Sequence, residues 1–162
     1  MTGSSSSSQP SKKATEKNKV VPAAVTKERL LRLTNLERKK KGLASLQRDP
    51  RLEAAAQAQA DDMRRRRYLN HTSPEGIDPL QRIRSAGYRE PSCNCAWQFF
   101  YGENIAWGNV SPDVIIQKWL LSPEHRKHLL SPDYRDVGIG YTGSYWVETF
   151  GGMAIGKVHN DQ

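Results

Sequence analysis

The chain has 162 residues, 36% of them hydrophobic, and a formal net charge of +8. That length allows one domain with a real core and hardly two. Residues 1–48 carry 12 Lys/Arg against 3 Glu, and residues 49–162 carry 13 against 14 acidic residues. The basicity therefore belongs to the front of the chain, and the near-neutral remainder argues against a nucleic-acid reader, which would put a basic stripe on its folded face.

Residues 1–24 open with the Ser- and Lys-rich run MTGSSSSSQPSKKATEKNKVVP, which lacks the apolar area to offset its ordering entropy and is expected to be a flexible tail. Its basic residues suit peripheral contact with anionic surfaces, a contact that salt would weaken. The run VVPAAV is too short and too Pro-broken for a signal h-region or a spanning helix, so no standard leader is legible. A single folded domain is expected over residues 25–158.

The first helix follows in VTKERLLRLTNLERKKKG, with Leu30, Leu31, Leu33 and Leu36 as its apolar stripe and Gly42 as its stop. A second helix starts at the Asp49 cap and Pro50, and Leu52, Ala56, Ala60 and Met63 recur at helical spacing. The four arginines Arg64 to Arg67 point all round this helix and are expected to be mostly solvated. Asp78 and Pro79 open a short helix ended by Gly87. Ser111 and Pro112 open another, with Val114, Ile115 and Trp119 expected inward, and Pro123 forces a restart at Ser122. The segment DVGIGYTGSYWVETFGG reads as two strands joined by a turn at Thr142-Gly143-Ser144, and MAIGKV reads as a third. Helices first and strands last predict an α+β domain whose helices pack on a small, mainly antiparallel sheet.

Three residues carry candidate chemistry. Glu103 lies in YGENIAWG, a neighbourhood that suits a core turn better than a solvated acid. His71 lies in LNHTSPEG, directly after the second helix. His125 lies in the first turn of the helix that Ser122 opens, where the helix N-terminus disfavours its protonation. Two neutral imidazoles and a carboxylate can hold a divalent cation with positions open for water or substrate. Blander roles are open for each: a capping or surface histidine, a carboxylate bonded to turn amides, a helix-start residue bonded to solvent. The pair His125 and His128 is three apart and so is not a zinc-protease helix, and the Gly-x-Ser-x-Gly elbow and phosphate-loop motifs are missing. Cys93 and Cys95 are expected to be free or paired in a loop, because a lone C-x-C is a weak metal signal.

The segments HTSPEG, GENIAWG, SPEHRKHLL and VGIGY…YWVETFGG occur in this order and together resemble the CAP superfamily. This superfamily includes cysteine-rich secretory proteins, insect-venom antigen 5 and plant pathogenesis-related proteins. The likeness is to short bacterial-type members and runs from about Thr26 to Gly152. It implies a three-layer α-β-α sandwich with a cavity lined by two His and two Glu. By position His71 takes the first His, Glu103 the Glu of the Gly-Glu-Asn motif and His125 the second His. Ser122 stands where the family's other Glu follows a Trp by three residues, and Glu124 is nearby but does not match. The resemblance implies a secreted, extracellular binding scaffold, monomeric, with a cavity for a divalent cation such as zinc and with lipid, sterol or an envelope component as partner. The alternative is a metal-dependent hydrolase of peptide, ester or glycan bonds, with metal on His71 and His125 and Glu103 as general base. Binding is favoured over catalysis, because one carboxylate of the tetrad is missing.

Overall fold

A computed structural model describes residues 21–93 and 95–156. Residues 1–20 of the expected tail, with the surface contact assigned to it, lie outside the described residues, and the first helix already begins at Ala23. The helices are α1 (Ala23–Lys40), α2 (Pro50–Arg66), α3 (Pro79–Ser85), α4 (Pro112–Leu121) and α5 (Pro123–Leu129). The strands are β1 (Gln47–Arg48), β2 (Trp97–Trp107), β3 (Asp136–Tyr141) and β4 (Tyr145–Ile155). They form one sheet in the order β1-β3-β4-β2, parallel only between β1 and β3. The mixed α+β class and the antiparallel bias are as the sequence predicts.

The starts of α2, α3 and α4 follow side-chain caps. Asp49 accepts from the backbone N–H of Arg51 at 2.8 Å and of Leu52 at 3.3 Å, and Pro50 sits in the first turn, where its missing N–H costs nothing. Asp78 and Gln81 form a capping box at α3, and Ser111 caps α4. Asp49→Ala should therefore lower stability by about 1 kcal/mol, read as a fall in the urea midpoint at constant m.

Strand alternation sorts the core into two layers. On one face Trp146 and Phe150 of β4 and Val137 and Ile139 of β3 meet Leu30 and Leu31 of α1, Ile115, Ile116 and Trp119 of α4 and Leu129 of α5. On the other face Val147 and Ile105 meet Ala56, Ala60 and Met63 of α2, while Leu52, Ile83 and Tyr88 close the α3 end. These are the helix-sheet-helix layers of the predicted sandwich.

Several expectations of detail need correction. Leu36 is 49% exposed, and the inner stripe of α1 continues instead through buried Thr34 and Arg38. Arg38 holds that place by donating to the backbone carbonyls of Ala44, Leu129 and Ser131 at 2.8–2.9 Å, which satisfies loop and helix-end carbonyls that apolar packing would leave unpaired. In α4, Val114 faces out and Ile116 faces in. The stretch read as a third strand is the end of β4, which runs unbroken through Gly151 and Gly152. Glu103 belongs to the long strand β2 and not to a turn. Arg64 to Arg67 are exposed, and Cys93 and Cys95 form a disulfide in the exposed loop before β2.

Candidate functional site

The strand β2 is the outer edge of the sheet, so both helical layers can send residues around it. Alternation turns Glu103 toward the α2 and α3 side and Asn104 toward α5. The loop after α2 brings His71 to Glu103, and its Nδ1 lies 2.9 Å from Glu103 Oε1. That loop is fixed from below, because Gln59 in α2 donates to the Asn70 carbonyl at 2.7 Å.

Glu103 is only 5% exposed, and its charge is answered by Arg82 of α3. Arg82 Nη2 bonds both carboxylate oxygens, at 3.1 and 2.9 Å, and also the His71 carbonyl at 2.8 Å. Its Nη1 bonds the Ile77 carbonyl at 3.0 Å, so one guanidinium ties β2, the His71 loop and the start of α3 together. Sequence reasoning missed Arg82. Its only signal was an arginine one helical turn inside a capped helix, which is the usual mark of a solvated face. Glu103 thus faces His71 and a guanidinium, where the resemblance implied a cavity lined by His and Glu alone.

His125 reaches the site from the opposite layer. Its Nδ1 lies 2.8 Å from Ser122 Oγ, so the serine at the family's second-Glu position contacts the second histidine. Ser122 makes no side-chain cap for α5. The ring stacks on Trp119 at 6.3 Å. Burial first, and then the nearby His71, push the His125 pKa down, while Glu124 and the Ile105 backbone pull weakly the other way. The sequence predicted the direction but assigned it to the helix end; desolvation is the larger cause. His128 is held low too, by burial first and then by Lys127, His71 and His125, and its Nδ1 bonds Tyr134 Oη at 3.0 Å.

His71 and His125 therefore lie on the two sides of β2, close enough for a charge on one to oppose a charge on the other. Glu103 joins His71, and Ser122 joins His125. Among the described residues no group of three or more His, Cys, Asp or Glu is placed to hold a metal ion.

The model of the cysteine-rich secretory protein (CAP) family matches residues 31–150. This chain belongs to the CAP family. The uncharacterized Bacillus subtilis protein YkwD is 35% identical to it over 140 residues, 84% of this chain and 50% of YkwD. The uncharacterized B. subtilis membrane protein YlbC is 30% identical over 125 residues, 77% of this chain and 34% of YlbC. The CAP chain thus spans about half or less of the length of these curated relatives. Two solved structures share the fold at 24% identity and 83% coverage of this chain. One is an extracellular protein with an SCP domain from Bacillus anthracis (TM-score 0.71, 44% of that chain), and the other is an outer surface protein from Borrelia burgdorferi (TM-score 0.70, 97% of that chain).

A separate groove of about 830 Å³ lies between the start of α1, the start of α4 and the β3–β4 turn. Val25, Val110, Pro112 and Tyr141 line it, and His71, Glu103 and His125 do not. No described helix is long and apolar enough to cross a membrane.

Proposed function

We propose that this CAP domain is a binding module that works outside the cell, with His71 and His125 as the nitrogen ligands of a divalent cation, zinc by donor type. The observation that carries the reading is the bond between His71 Nδ1 and Glu103 Oε1. A carboxylate paired with Arg82 can only accept, so His71 Nδ1–H donates to it, and Nε2 is left as the nitrogen a cation would take. Metal-ligating histidines use this arrangement, with a carboxylate behind the ring fixing tautomer and orientation. Lowered proton affinity keeps His125 neutral, and the Ser122 hydroxyl accommodates either of its tautomers.

The donor set fits a loosely held cation. Two imidazoles suit zinc and its neighbours, and solvent or an anionic or carbonyl group of a ligand would complete the coordination. Glu103 serves behind His71 in this reading and does not ligate. The cation would supply a Lewis-acidic anchor for that ligand group. A lipid or sterol partner would use the groove beside Val25 and Tyr141, away from the histidines. The extracellular setting draws on the likeness to the B. anthracis and B. burgdorferi proteins.

The hydrolase reading is weaker for a geometric reason. A general base must reach the proton of a substrate-bound water, whereas the Glu103 side chain is 2% exposed and both oxygens are engaged. Zinc titration of the wild type and of His71→Ala, His125→Ala and Glu103→Gln tests both readings. The binding module predicts zinc uptake that each histidine variant weakens at least about tenfold and Glu103→Gln weakens about 10- to 100-fold. Uptake should also fall with pH as the imidazoles take protons. No turnover is expected on a peptide and ester panel. Wild-type turnover abolished in folded Glu103→Gln would establish the hydrolase, and no zinc uptake by the wild type would refute the cation site.

A further inference from the structure

Glu148 lies in β4 with no exposure and faces α1. Its Oε1 accepts from Thr34 Oγ1 at 2.8 Å, while Oε2 is buried with no partner among the described residues. Asn104 of β2 stands directly opposite in the ladder and is also fully buried. Its Nδ2 donates to the His125 carbonyl at 3.0 Å, and its Oδ1 is buried without a partner. Side chains opposite each other on one face of an antiparallel pair have Cβ atoms about 4.5–5.5 Å apart. Two opposed residues of one face thus each carry an orphan acceptor, and two such acceptors attract only if a proton lies between them.

Among the described residues no Lys or Arg bonds the Glu148 carboxyl. From α1, the Arg38 charge pulls the Glu148 pKa down, but its bonds go to backbone carbonyls. From α4 come Ile115, Ile116 and Trp119, and from β3 come Val137 and Ile139. From α5 come Leu129 and the ring of His128, which stacks on Phe150 two positions along β4 and is held low in pKa by burial. His125 meets Asn104 through its carbonyl.

We propose that Glu148 is kept as the neutral acid and donates from Oε2 to Asn104 Oδ1, so that Thr34, Glu148 and Asn104 form one hydrogen-bonded chain ending on the His125 carbonyl. Every donor in that chain points the same way, from α1 through β4 and β2 to α5, and such chains strengthen cooperatively. Glu148 is then a positioning residue for the His125 side of the site. That consequence rests on the reading of His125 as a site residue; the bond itself does not.

Burial supports the assignment, raising the Glu148 pKa from 4.5 to about 8 against the opposing pulls of Thr34 and Arg38. The native state keeps a proton that the unfolded chain has lost, so stability is full below 4.5 and falls as pH rises through about 8. Carbon-13 NMR of the Glu148 carboxyl and melting curves of the wild type and Glu148→Gln test this. The carboxyl should titrate near 8, and the wild-type melting temperature should fall across the window from 4.5 to 8. Glutamine can accept from Thr34 and donate to Asn104, so Glu148→Gln should fold, lose that part of the pH dependence and leave the His125 resonances in place. A carboxyl titrating near 4.5, or a Glu148→Gln profile parallel to wild type, overturns the proposal. Should Glu148→Gln fail to fold, the wild-type NMR titration decides alone. None of these readouts needs metal, so a chain that takes up no zinc still reports on Glu148.

Discussion

Arg82→Met is expected to lower stability by about 3–5 kcal/mol, because it strands the Glu103 charge with no cationic partner in a nearly dry setting. Glu103 has a side-chain exposure of 2%, Arg82 of 10%, and the remaining partner, His71, is 47% exposed. The substitution also frees the carbonyls of His71 and Ile77, which sit where water can replace the lost donor at small cost. Most of the damage therefore belongs to the stranded carboxylate, and a double-mutant cycle isolates it. Glu103→Gln removes the charge, so Arg82→Met/Glu103→Gln should be more stable than Arg82→Met alone. Urea unfolding of the four proteins checks the sign, and strictly additive losses would show that the guanidinium matters only as a tie between backbone segments.

That pair also marks where the sequence stopped being legible. Four of the five helix starts were readable because each is announced locally: Asp49 before Pro50, Asp78 before Pro79, Ser111 before Pro112, and the break at Pro123. The α2 stripe of Leu52, Ala56, Ala60 and Met63 was readable because apolar residues at one period have one physical use. Polar residues facing inward defeat the same logic. Thr34 and Arg38 occupy stripe positions in α1, and a hydropathy pattern assigns such residues to solvent and puts Leu36 inside. Their partners, Glu148 and the carbonyls around residues 129–131, lie about 90–114 positions away in the chain.

The strand β2 was hidden for a related reason. Gly102, Glu103 and Asn104 form its centre, and all three are depleted in strands. Each is there for a neighbour contributed by another element: Gly102 lets His128 and Tyr134 lie on the backbone, Glu103 receives His71 and Arg82, and Asn104 holds the His125 carbonyl. A strand whose middle is chosen for the site does not resemble a strand, and the motif resemblance located Glu103 where propensity failed. The resemblance also implies that His71 and His125 share a site, but Arg82 was outside its motifs.

Gly138→Ala and Gly140→Ala are each expected to cost about 3 kcal/mol or more, at the upper end of what overpacking does. A Cβ at Gly138 would overlap the backbone of Leu52 and Glu53, and one at Gly140 would overlap the backbone of Ala56 and Gln57. The obstacle is main chain in both cases, so no rotamer change relieves it and α2 must lift from β3. Gly143→Ala separates packing from conformation: at φ +77° it carries left-handed strain, but nothing lies within 4 Å of the added carbon. Its loss should stay near the roughly 1–2 kcal/mol of left-handed backbone. The site should feel the difference, because α2 carries Gln59, and Gln59 holds the Asn70 carbonyl beside His71. A folded Gly140→Ala protein should therefore lose zinc affinity while Gly143→Ala keeps it. Equal stability and equal zinc affinity in the two variants would mean that α2 can shift without carrying the His71 loop, and the coupling of the helix to the site would be wrong.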